Sequence, residues 1–374
     1  MTKPLQSGSQ RLYGRQIAFV AAFLLPMAKF LETPSLLAKY AADDLLLPVL
    51  AHFLIQASLI ALFLYAASRS KSTILERVQS VFGKGVVVIY AFFATYYLFY
   101  AILPLLDLEK YVYASFFDTA PTVFAFAAFF IFSAFVCTKG FRAIGRSADL
   151  CLFLFVLPFF ALIFMSLWET DFSQLLPFFG SPIQSTGKAF AYSSPHFADA
   201  LLLLPLIAVK PYEKGDGKKI LTGYAVGVAF VLLFLAVFFG IFASIAPREH
   251  YAFSKIAQYF PPLTVIGRID LIFVYLLSVV LFFYTCLPLQ YATQLYAKTF
   301  SVRSKPLISA ILNLGLFFFT LFCNRYYNDF YNAIAKTLFP IFWIVHLLPL
   351  FLLFLPKLEN KQTSKKEKPH ESNA

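Results

Sequence analysis

The chain has 374 residues, 60% of them hydrophobic and only 13% charged, with a mean hydropathy of +0.74. A soluble globular chain carries charge on about a quarter of its residues, so this composition excludes that class and points to an all-α integral membrane protein. The formal net charge of +12 comes from basic residues dispersed over short loops, which argues against a nucleic-acid partner.

Apolar runs of about 20 residues, long enough to cross a bilayer as helices, predict ten transmembrane helices at 16–38, 45–67, 86–106, 121–138, 149–168, 189–209, 220–245, 269–295, 306–323 and 336–356. They form one transmembrane permease domain, 16–356. It follows a polar N-terminus (1–15) without a cleavable signal pattern and precedes a disordered basic tail (357–374).

Span one is interrupted at Phe30-Leu-Glu-Thr-Pro34. Thr is a good N-cap and proline suits the first helical position, so a fresh helix is expected to start at Thr33. Just ahead of it, Lys29 and Glu32 share one helical face near Pro26. Either they pair with each other at a bend, or Lys29 supplies a fixed positive charge to a central cavity. In span two, His52 and Gln56 stand one turn apart and read as interhelical hydrogen-bonding groups. Span three carries Tyr90, Tyr96, Tyr97 and Tyr100 around Thr95; Tyr97 or Tyr96 closes a pocket, or all serve ordinary packing. Residues 169–188, with Glu169, Asp171, Pro177, Gly180 and Pro182, read as a loop.

Span six repeats the interruption at Tyr192-Ser-Ser-Pro-His196, so a second helix start is expected at Ser194-Pro195. Ser193, Ser194, His196 and Asp199 cluster there. A ligand carboxylate is expected to dock on the amides at Thr33-Pro34 or Ser194-Pro195, with Asp199 holding a ligand ammonium or a coupling proton. His196 is either a group titrating near neutral pH or a buried hydrogen-bonded histidine. Gly223 and Gly227 in span seven form a GxxxG pattern expected to permit a close helix crossing. Span eight offers Tyr284, Thr285 and Gln290. Interrupted helices in the first and sixth spans are corresponding members of two five-helix halves, the arrangement of a transporter-type binding site.

Of the 31 Lys and Arg residues, 22 fall in the N-terminus, the even-to-odd loops and the C-tail, which places both termini in the cytoplasm. Cys137, Cys151, Cys286 and Cys323 lie in or beside apolar spans with no CxxC pair and read as packing residues. There is no GxxxxGK, HExxH or GxSxG motif, so no enzyme, cofactor or metal site is expected, and gradients would drive any transport.

Three stretches resemble the spore germination permeases, the B-subunits of nutrient germinant receptors (GerAB type). They are Thr33-Pro-Ser-Leu-Leu-Ala-Lys-Tyr-Ala-Ala-Asp-Asp44, Leu176-Pro-Phe-Phe-Gly180 followed by Phe190 to Pro205, and Ile266-Gly-Arg-Ile-Asp270 opening a span that runs through Tyr284. The resemblance implies the amino acid–polyamine–organocation (LeuT-like) fold, with spans one to five and six to ten as a 5+5 inverted repeat and helices 1 and 6 interrupted. It implies a germinant-sensing role, typically for amino acids, in the inner membrane of a spore, alongside A-type and C-type (lipoprotein) receptor subunits. The candidate ligand set read from the residues is Pro26, Lys29, Glu32, Thr33, Tyr97, Ser193, Ser194, His196, Asp199 and Tyr284. Two departures stand out: Met27-Ala-Lys-Phe-Leu-Glu32 where the family usually has glycine, and Asp199 after Ala198 where it commonly has glutamate after glycine. Lys29 in that place implies a site independent of sodium. The alternative function is a free-standing proton-coupled or sodium-independent amino acid transporter.

Overall fold

Two prolines, Pro26 and Pro34, shape the start of the molecule. The computed structural model describes residues 12–116, 122–176, 179–258, 270–300, 304–324, 326 and 341–356. Helix α1, Gly14–Lys29, begins regularly, widens into a π turn at Val20–Leu24 and tightens into a 3-10 turn at Leu25–Lys29. Pro26 has no N–H to return to the preceding turn, and the change of helix type absorbs the missing bond. Phe30–Glu32 leave helical geometry. Helix α2, Thr33–Ala41, resumes with Pro34 in its first turn, and a short extension carries it to Asp44. The two halves meet at 60°, so span one is broken where its sequence predicts.

The remaining helices are α3 (Leu46–Ser68), α4 (Ile74–Phe82), α5 (Val86–Phe116), α6 (Thr122–Cys137), α7 (Phe141–Ser166), α8 (Ile183–Ser193), α9 (Asp199–Val209), α10 (Asp216–Phe242), α11 (Ala252–Gln258), α12 (Asp270–Thr299), α13 (Lys305–Asn324) and α14 (Ile341–Phe354). Among the described residues, seven helical stretches are long and apolar enough to cross a membrane, and the bent α1–α2 pair makes an eighth. Shorter apolar helices lie in α6 and α14. The first residues of predicted span ten, Pro177, Phe178, Ile266–Ile269 and the tail 357–374 lie outside the described residues.

Span six corrects the expected helix start. Ser194–His196 form a 3-10 turn, Phe197 and Ala198 are irregular, and the new helix begins only at Asp199. Proline in the first turn suits the 3-10 segment, but Phe197 and Ala198 adopt positive ψ values of 54° and 27° and delay regular pairing. Ile183–Val209 lacks the sharp bend of span one and reads as one interrupted span.

Helix α5 packs along α12, while α1 packs on α10 and α7. A Cβ on Gly223 would lie 2.5 Å from the Ala18 carbonyl oxygen, and one on Gly227 would lie 2.6 Å from that of Ala21. The GxxxG stripe therefore sets backbone on backbone, as its spacing predicts. Stacked and tilted rings of Phe23, Phe30, Phe155, Phe159, Phe230 and Phe234 fill the adjoining seam of α1, α7 and α10. Buried Arg77 on α4 donates to Ala66 O, Leu355 O and Pro356 O at 2.6, 2.9 and 3.2 Å, satisfying carbonyls at the ends of α3 and α14.

Candidate ligand site at the two helix breaks

The breaks in spans one and six are joined by charge. Lys29, the last residue of α1, forms an ion pair with Asp199, the first residue of α9, and both side chains are about 1% exposed. Lys29 Nζ also donates to Leu25 O at 3.2 Å, and Phe197 lies under the ammonium at 5.3 Å. Tyr224 Oη, on α10, donates to the second Asp199 oxygen at 3.0 Å. Asp199 also sits in the first turn of α9, where the helix dipole favours negative charge. Burying two charges in hydrocarbon is costly, and this pair offsets the cost by satisfying both at once.

The pairing decides against one of the two alternatives for Lys29, a contact with Glu32. Three-residue spacing aligns two side chains only while the helix continues, and it stops at Phe30. Glu32 instead meets Nδ1 of His250 at 2.7 Å, at the mouth of the break. The Glu32 hydrogen bond holds the His250 imidazole above its ordinary pKa.

The hydroxyls at the interruptions also act differently from expectation. Thr33 Oγ1 donates back to Ala28 O at 3.1 Å, and Ser194 Oγ donates to Phe190 O at 2.8 Å. Ser193 Oγ shares that carbonyl at 3.3 Å. Each satisfies an orphan carbonyl of the helix behind rather than an amide of the helix ahead. At the start of α9 the Ala200 N–H is taken by Gln56 Oε1 at 2.9 Å. His52 Nε2, 2.9 Å from Phe190 O, must carry the proton, because a carbonyl only accepts. His52 and Gln56 thus bond between helices, as predicted.

The Tyr97 hydroxyl donates to Leu201 O at 2.7 Å while its side chain lines an apolar cavity with Tyr90, Leu204 and Pro205, and Tyr291 donates likewise to Leu202 O at 2.8 Å. Tyr284 meets Tyr100 hydroxyl to hydroxyl at 3.0 Å across α12 and α5. Pro26 faces α10, 3.3 Å from where a Gly227 Cβ would stand, and buried His196 flanks the span-six break. Of the predicted residues, Lys29 and Asp199 therefore touch, Thr33, Ser193, Ser194 and His196 flank them, and Glu32 turns to the mouth. Sequence reasoning missed Tyr224 and His250, and named Tyr100 only among the span-three tyrosines. Tyr224 alone had a signal, because it follows Gly223 in the stripe that must abut span one.

Ala252 N and Phe253 N of α11 donate to Leu31 O and Phe30 O at 3.1 and 3.2 Å, covering the carbonyls that span one frees. Tyr251, at φ +57°, makes the left-handed turn that brings α11 back onto the break. At the opposite end of α1, Gln16 Nε2 donates to Asp149 at 2.8 Å beside an Arg15–Asp149 contact at 3.5 Å. Cys137, Cys151 and Cys286 are buried free thiols, and no group of three or more His, Cys, Asp or Glu side chains placed to hold a metal ion occurs among the described residues.

Comparison with solved structures identifies the fold. MhsT in complex with L-phenylalanine superposes with a TM-score of 0.64 at 15% identity, over 91% of this chain and 89% of that one. Two mutants of the Eremococcus coleocola manganese transporter superpose at 0.53 and 11% identity, over 91% of this chain and 76% of theirs. The fold is that of these LeuT-like transporters. No curated protein sequence matches the chain. The spore germination protein family, in contrast, matches residues 16–328. A bundle with the transporter fold, a charge pair at its two helix breaks and a family match over most of its length leave one conclusion: the chain belongs to the spore germination permease family.

Proposed function

We propose that this permease is the nutrient-binding subunit of a spore germinant receptor, that its ligand is a free amino acid, and that Lys29 and Asp199 are the groups the ligand engages. The observation carrying this reading is the Lys29–Asp199 pair itself, an ammonium and a carboxylate buried between two interrupted helices. A zwitterionic amino acid supplies the same two charges in opposite order, its carboxylate to Lys29 and its ammonium to Asp199. Binding exchanges one internal pair for two ligand pairs, so no charge is left uncompensated. Because the resident pair bridges α1 and α9, splitting it biases the bundle between two arrangements. The L-phenylalanine in the related MhsT structure supports this ligand class. The spore inner membrane, cytoplasmic termini and A-type and lipoprotein C-type partners follow from the same reading.

Thermal-shift titration of the purified protein against amino acids, sugars and nucleosides tests it. Amino acids are expected to stabilise the wild type but neither Lys29→Met nor Asp199→Asn. Stabilisation by sugars or nucleosides alone, or an undiminished response in both variants, refutes it. The transporter neighbours favour a second reading, a free-standing amino acid transporter. Uptake by the protein alone in liposomes, lost without a proton gradient, would establish that one instead.

A further inference from the structure

The turn between α6 and α7 carries three cations, Lys139, Arg142 and Arg146, where both helices reach the membrane edge. Leu150, Phe153, Leu157, Phe160 and Phe164 recur every three or four residues along α7 and are 48–74% exposed, so they form its lipid-facing stripe. Arg146 stands on that stripe one turn before Leu150, and Arg142 one turn before Arg146. The lipid-facing side of α6 ends the same way. Lys139 lays its ammonium over the Phe135 ring at 4.3 Å, and that ring is 63% exposed. Two apolar faces thus converge on one basic turn.

The turn is held in place from α12. The Lys139 carbonyl accepts from Gln290 Nε2 at 2.9 Å and Gln294 Nε2 at 2.8 Å, and Gln294 Oε1 accepts from Lys305 Nζ at 3.0 Å. Beside Lys139 a cavity of about 120 Å³ lies in the seam of α6, α7 and α12, with Phe135, Val136 and Phe283 on its walls and Leu24 of the α1 π turn on its inner side. Among the described residues, Lys139, Arg142 and Arg146 form no ion pair. Asp149, three residues beyond Arg146, is taken by Gln16 and Arg15. The seam therefore offers positive charge at its edge, apolar walls below, and no anion of its own. We infer that it holds one anionic phospholipid, its phosphodiester on Lys139 and Arg146 with Arg142 beside them, its acyl chain descending over Phe135 and the α7 stripe. A headgroup bearing an ammonium adds a fourth cation to three, so the site selects lipids of net negative charge. It is separate from the Lys29–Asp199 pair and meets span one at Leu24, five residues ahead of Lys29.

The full chain in detergent, titrated with phosphatidylglycerol or phosphatidylethanolamine and read by native mass spectrometry, tests the site. One phosphatidylglycerol is expected to bind well ahead of any others and of phosphatidylethanolamine. Lys139→Gln and Arg146→Gln are each expected to weaken it about fivefold, the worth of one cation beside an anionic lipid. The triple variant Lys139→Gln/Arg142→Gln/Arg146→Gln is expected to lose the tight molecule. Lys218→Gln/Lys219→Gln, a pair exposed on α10 and absent from the seam, is expected to keep it. Glycerol 3-phosphate, the headgroup without chains, is expected not to displace it. Equal binding of phosphatidylethanolamine, or a tight molecule that survives in the triple variant, overturns the site. An equal loss in the α10 pair marks diffuse surface charge and overturns it as well. Displacement by glycerol 3-phosphate assigns the cations to a free phosphate and overturns the lipid.

Discussion

Removing Lys29 should cost more than removing Lys29 and Asp199 together. Both side chains are about 1% exposed, so Lys29→Met strands a carboxylate whose remaining hydrogen-bond donor is Tyr224 Oη. Breaking a buried pair on one side costs about 3–5 kcal/mol, or roughly a hundredfold to several thousandfold in the folding equilibrium. Asp199→Leu alone strands an ammonium held by Leu25 O, at a similar cost. The double variant Lys29→Met/Asp199→Leu removes both charges and fills their volume with apolar atoms, leaving the Tyr224 hydroxyl unmatched, and is expected to lie within about 1–3 kcal/mol of wild type. The cycle therefore predicts a coupling of several kcal/mol, read by denaturation of the four proteins in identical nanodiscs. The double variant should at the same time lose its response to amino acids, which separates stability from binding. Single variants within about 1 kcal/mol of wild type, or a double variant as unstable as the worse single, would refute the argument.

Three further outcomes follow from the same geometry. Protonated His250 pairs with Glu32, and its raised pKa means the contact contributes fully below the ordinary 6.5 and is lost as pH climbs past the raised value. Glu249, Lys110 and Lys255 adjust that window, and hydrogen exchange of 252–258, corrected for intrinsic rates, should quicken at high pH in wild type but not in His250→Gln. Gln56→Leu strands the Ala200 N–H at the start of α9 and should cost about 1–3 kcal/mol, whereas Gln56→Glu, which keeps an acceptor oxygen, should restore part of it; equal losses would remove the capping role. Gly227→Ala places a methyl 2.6 Å from the Ala21 carbonyl and should lower the melting temperature through a cost of about 1–3 kcal/mol, while Gly187→Ala, which meets nothing, should not.

The sequence makes the spans, the span-one break and the Gly223–Gly227 crossing legible because each depends on neighbours along the chain: hydrophobic run length, proline geometry, and small residues one turn apart. The Lys29–Asp199 pair was not legible as a pair. Its members are separated by 170 positions, and only the folded bundle brings the end of α1 to the start of α9. Periodicity within span one pointed to Glu32 instead, and that rule fails where helical geometry ends. Ser194-Pro195 misled in a similar way, since proline suits the opening of a 3-10 turn as well as that of an α-helix. The covering of Phe30 and Leu31 by α11 had no signal at all, because backbone amides carry no residue identity.

The flush contact of α10 on α1 limits how the molecule can move. Gly223 and Gly227 weld the first span to the seventh, and Tyr224 on the same surface grips the carboxylate of the sixth. Three spans thus meet at one point, backbone on backbone for the first and seventh and through a side-chain hydrogen bond for the sixth. On the proposed reading, a ligand that rebonds Lys29 and Asp199 acts on all three spans at once.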